Sequence, residues 1–184
     1  MPDFPPLAAL TAQTRILELD DADAVRMLRV VLERQRRLPD PETARDLAAH
    51  LSEAAAHPLA LEYPAPSAHS ATGTDRLNLP LVSQPVSGGD LARETLLYLL
   101  TEQPALEPLL LAAADAADGP VGSLTRPGHL DLGVQVLLAL HEEVTLERAP
   151  AGGWRFRVHR KAMNDASLTG VLAKLVRTVS SARS

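Results

Sequence analysis

The segment 144–160, VTLERAPAGGWRFRVHR, constrains this chain more than any other stretch. Two runs alternate apolar and polar residues with a period of two, and APAGG separates them, which is the pattern of a β-hairpin. If Arg148 faces Trp154 across the connection, the rest of the register follows. Leu146 meets Phe156 and Val144 meets Val158 on one face. Glu147 meets Arg155, Thr145 meets Arg157 and Glu143 meets His159 on the other. A slip of one residue would mix apolar and charged positions on both faces, so the parity is well specified. Each cross-strand pair adds only about 0.2–1 kcal/mol.

Upstream, the pattern turns helical. RILEL (15–19) reads as a short strand, and Asp20 or Asp21 then caps a helix to about Leu38 with Val25, Leu28, Val31, Leu32 and Gln35 on one face. Arg34, Arg36 and Arg37 suit the negative end of that helix. Asp40 and Pro41 start a second helix, whose small-residue face (Ala44, Leu47, Ala48, Leu51) suits close packing against the first. LALEY (59–63) reads as a strand, making a β-α-α-β unit. Residues 64–89 are rich in Pro, Ser, Thr and Gly and read mostly as a linker, with RLNLPLV (76–82) as an edge strand limited by Pro80.

Ser87 and Asp90 have the spacing of a capping box before a leucine-rich helix to about Glu102, and a further helix ends before Gly119. HLDLGVQVLLAL (129–140) fits strand and helix periods alike; its leucines and Ala139 favour helix. A last helix begins at Asn164 or Asp165 and runs to about Val179, with Leu168, Val171, Leu172, Leu175 and Val176 as its apolar face. Residues 20–33 and 164–177 align without gaps, each after an expected strand, a similarity that two capped amphipathic helices produce readily by chance.

The expected class is therefore α+β: mostly helical, with short strands, a C-terminal hairpin and a terminal helix. The organisation expected is two small lobes: an acidic N-terminal lobe at 1–64, a linker at 65–86 and a C-terminal helical lobe at 87–184. With only five aromatics (Phe4, Tyr63, Tyr98, Trp154, Phe156), the core is built from Leu, Val and Ala.

Charge is uneven along the chain. Residues 1–143 carry 10 Lys/Arg against 21 Asp/Glu, or −11; residues 144–184 carry 8 against 2, or +6. On the hairpin, Arg155 and His159 have facing acids, whereas Arg157, Arg160 and Lys161 are left over, and Lys174 and Arg177 of the last helix can join them. Such a cluster suits a phosphate backbone; it equally suits a solvated edge that resists aggregation. Trp154 and Phe156 either stack on bases if they face outward or anchor the hairpin if they face inward.

Several chemistries are excluded or unsupported. The chain has no cysteine, hence no disulfide, thiolate metal site or cysteine nucleophile. His50, Glu53 and His57 are spaced i, i+3 and i+7, which is not a zinc helix motif. No Walker loop, G-x-G-x-x-G or G-x-S-x-G occurs, and no catalytic residue or cofactor is assigned. A winged helix-turn-helix order fits, but its recognition helix would be the apolar 129–140 segment, which lacks groups to read base edges. The absence of a basic leader before Arg15 and of an apolar run near 20 residues points to a cytoplasmic protein without a membrane span.

Two functions fit these residues. One is a non-enzymatic DNA-binding protein, single strands favoured, using Trp154, Arg155, Arg157, Arg160, Lys161, Lys174 and Arg177. The other is a protein–protein interaction or regulatory module whose charge asymmetry serves a protein partner or homodimerisation.

Overall fold

The computed structural model of the protein describes residues 7–56, 59–62, 76–78, 86–117, 128–150, 152–159 and 165–181. Within them the chain is α+β and mostly helical. The helices are α1 (Leu7–Glu18), α2 (Asp21–Arg34), α3 (Pro41–Ala54), α4 (Gly88–Glu102), α5 (Glu107–Ala117), α6 (His129–Ala139) and α7 (Asp165–Ser181). The strands are β1 (Ala60–Glu62), β2 (Arg76–Asn78), β3 (Val144–Arg148) and β4 (Trp154–Val158), in the sheet order β2-β1-β4-β3.

Local signals set most helix starts. Asp20 caps α2 through Asp23 N, and Asp40 caps α3 through Glu42 N and Thr43 N. Ser87 caps α4 through Asp90 N, and the Asp90 carboxylate accepts from the Ser87 backbone N–H in return. Each such cap is worth about 1 kcal/mol. Asp131 accepts from Gly128 N at 3.2 Å and opens α6.

The expected strand at RILEL is instead helical through Glu18, where it forms the last turn of α1. Its short alternation is overruled by a longer helical spacing: Ala12 and Ile16, four residues apart, are buried, while Leu17 is 58% exposed. The N-terminal unit is therefore three helices followed by one strand, and α2 follows a helix, which removes half of the 20–33/164–177 similarity. α2 also stops earlier than Leu38, because Arg36 takes a left-handed backbone conformation with φ 55°.

α6 is the central helix. Residues Leu132 to Leu137 are all buried, so 129–139 is a helix whose middle is taken up by the core rather than presented to a DNA groove. It packs against α3, α4 and α7. Gly133 makes this possible: a Cβ there would lie 2.6 Å from Leu51 Cδ2 of α3 and 3.0 Å from Val179 Cγ2 of α7. α3 thus packs on α6 rather than on α2, closing on it at Leu51.

β1 runs parallel to β4 and antiparallel to β2. Leu61 pairs with Phe156, and Phe156 with Leu146, along the inner face. Through this pairing and the packing of α2 on α4 and α5, described residues from both the 1–64 and the 87–184 segments contribute to one core cluster. β2 is an edge strand, as Pro80 implies; most of the linker lies outside the described residues.

Candidate interaction surface on the hairpin

The β3–β4 register is the one read from the sequence: Arg148 with Trp154, Glu147 with Arg155, Leu146 with Phe156, Thr145 with Arg157 and Val144 with Val158. Gly152 and Gly153 close the turn, both at φ 85°, a conformation that glycine adopts without a Cβ penalty. Burial decides which face turns inward. Burying a large apolar side chain is worth about 1.5–3 kcal/mol, more than any cross-strand pair. Trp154, Phe156 and Val158 are accordingly 7%, 0% and 1% exposed. Neither aromatic is available to stack on bases. Trp154 instead lies 5.1 Å from the His50 ring and beneath the Arg148 guanidinium at 5.3 Å. His50 is therefore a ring neighbour of Trp154. Among the described residues, no group of three or more His, Asp or Glu side chains has the geometry to hold a metal ion.

The outer face carries the charges. Arg155 bonds Glu147 Oε1 at 2.6 Å, and Arg157 reaches the same oxygen at 3.5 Å with half its side chain exposed. One carboxylate oxygen thus serves two guanidiniums. His159 Nε2 lies 2.9 Å from Thr145 Oγ1. Glu143, its expected partner, turns inward: the two residues meet only through His159 N donating to Glu143 O. The Glu143 side chain is buried against Gln103 Nε2 at 3.3 Å, and that burial pushes its carboxyl above the ordinary range.

The remaining cations are dispersed. Lys174 pairs with Glu94 at 2.9 Å, and Arg148 with Glu53 at 2.7 Å. Arg177 is half-buried on α7 and has a partner of its own. Arg160 and Lys161 lie outside the described residues. C-terminal cations are thus spent partly on acids of α3 and α4, and the +6 segment is less available than its sequence implies.

Other arginines hold helix ends. Arg37 donates to Ala139 O at the C-terminal end of α6 and pairs with Glu142, so it serves another helix's dipole rather than its own. Arg26 donates in the same way to Ala117 O, the last residue of α5. Sequence spacing carries no signal for these partners, which lie about a hundred residues away.

Among the described residues, β3 has a neighbour on one side only. His159 N donates to Glu143 O and Ala149 N to Gly153 O, so the ladder bonds to β4 belong to the odd-numbered residues of β3. Antiparallel alternation then turns the N–H and C=O of Leu146 and Arg148 away from the sheet. Among the described residues, no helix is long and apolar enough to cross a membrane. No family model matches the chain, and neither a curated protein nor a solved structure matches it.

Proposed function

We propose that the protein is a non-enzymatic protein–protein interaction module that acts through the free edge of β3, with a second copy of the chain as the simplest partner. The observation that carries this is the outward-facing backbone of Leu146 and Arg148 on an outer strand. Two copies of β3 related by a two-fold axis through Leu146 are self-complementary. Leu146 meets Leu146, Thr145 meets Glu147 and Val144 meets Arg148, so no like charges face each other. Because the hairpin's charges are largely engaged within the chain, this association depends on backbone pairing rather than on net charge.

Light scattering across a concentration series tests it. The wild-type chain forms a dimer that persists in high salt, and Leu146→Pro is a monomer. Proline removes an N–H that β4 does not use, and an edge strand tolerates it. A wild-type monomer at every concentration, or a Leu146→Pro dimer, overturns the reading.

Nucleic-acid binding is the second reading, supported by Arg155 and Arg157 sharing one carboxylate on the outer face. With Trp154 and Phe156 buried, it rests on backbone contacts alone and carries no preference for single strands. A mobility shift with both duplex and single-stranded DNA at low salt tests it, and absence of any shift removes it.

A further inference from the structure

α3 and α6 close on each other where Leu51 meets Gly133, but one to two turns earlier the apolar side chains of α3 are the small Ala44 and Ala48. A groove of about 500 Å³ opens there, with Val134 and Leu138 of α6 on its far wall. That size falls within the range of small-molecule sites, roughly 300–1,000 Å³. Leu38, one of two large apolar side chains exposed among the described residues, stands at the groove at 37% exposure.

Polar groups converge on this apolar space. Gln135 is 8% exposed on the central helix, and its Oε1 has no hydrogen-bond partner among the described residues. That oxygen is closed to solvent, so Gln135 contributes to the groove wall without offering it an acceptor. Arg45, exposed on α3, forms no ion pair among the described residues. Arg29 also lines the groove, with its Nε held by Glu33 at 2.9 Å. The one acid in the lining, Asp131, is already engaged by the Gly128 N–H at the start of α6.

We infer that the α3–α6 groove binds a small amphipathic carboxylate: an apolar body against Ala44, Ala48, Val134 and Leu138, and an anionic end on Arg45. Anilinonaphthalene sulfonate, which combines an anion and an apolar ring system, is a suitable probe, with octanoate as the carboxylate competitor. The native chain binds the probe with enhanced, blue-shifted emission, and octanoate displaces it. Ala48→Trp fills the groove and abolishes binding. Arg45→Glu, at an exposed position that leaves the fold intact, weakens it at least tenfold. Circular dichroism confirms that each variant is folded, and the Arg45→Glu result stands alone if Ala48→Trp is not. Unchanged probe binding in Arg45→Glu, unchanged binding in folded Ala48→Trp, or failure of octanoate to compete overturns the assignment.

Discussion

Two corners of this fold hold carboxylates in contrasting company. Where the starts of α2 and α4 meet, Asp21 and Asp90 both bond Arg93, at 2.8 and 2.6 Å, and Arg93 also donates to Leu19 O at 2.9 Å. Ser87 completes the corner, its hydroxyl bonding Asp21 and accepting from Asp90 N. Hydrogen bonds from Ser87 and Arg93 hold Asp21 below the ordinary carboxylate range, and Arg93 first and then Ser87 do the same for Asp90. At the α6–β3 corner, the nearby guanidinium of Arg37 is taken by Glu142, and Glu143 is left buried with an amide. Its carboxyl is displaced upward. The same chemical group is thus stabilised as an anion in one corner and penalised in the other. The difference is whether a cation reaches it before burial does.

The first corner is also a close contact between helices. A Cβ on buried Gly89 would lie 2.2 Å from Asp21 Oδ1 and 2.4 Å from Asp21 Cα. A backbone atom cannot rotate aside as a side-chain end can. Gly89→Ala therefore forces the two helix starts apart and breaks the Arg93 network with them, at a cost of about 3 kcal/mol or more. Urea denaturation measures it. A loss under 1 kcal/mol would mean the corner is looser than its contacts indicate, and the comparison would fail.

Arg93→Ala tests the electrostatic half alone. The carboxylates it holds are 39% and 50% exposed, so solvent screens part of the interaction. The expected loss is about 1–2 kcal/mol at pH 7, including the abandoned Leu19 carbonyl. Because Asp21 and Asp90 have depressed values, their contribution is present above the ordinary aspartate range and is lost as pH falls through it. The gap between wild type and Arg93→Ala therefore narrows below about pH 4. A gap independent of pH would assign the loss to packing instead.

What the sequence made legible tracks how local each cause is. The hairpin register could be read because parity and a five-residue loop act within 15 residues, and the caps at Asp20, Asp40 and Ser87 act within three. RILEL failed because five residues cannot separate a period of two from one of 3.6 when the deciding positions lie upstream. Trp154 could face either way until β1 and the helices fixed which face was inward. The long-range ion pairs were invisible: Arg148 finds Glu53, and Arg93 finds Asp21, across 95 and 72 residues. The groove had one visible trace, the alanines at 44 and 48, and its buried Gln135 stood unmarked within an apolar run.

Glu143→Gln probes the second corner and has the smallest effect, with the opposite sign. The carboxyl is raised by burial, so ionising it at neutral pH costs the folded state more than the unfolded chain. Glutamine keeps the shape, stays neutral and can hydrogen-bond Gln103. The variant should therefore unfold at a modestly higher urea concentration than wild type at pH 7. As pH falls, wild-type Glu143 takes up its proton in the folded state first and the penalty disappears. The two proteins should converge near pH 4, where glutamate protonates in the unfolded chain as well. This is the reverse of the Arg93→Ala profile only in sign: both gaps close in acid, one from a lost stabilisation and the other from a lost penalty. If Glu143→Gln is less stable than wild type at neutral pH, the carboxylate has a cationic partner after all, and the contrast between the corners disappears.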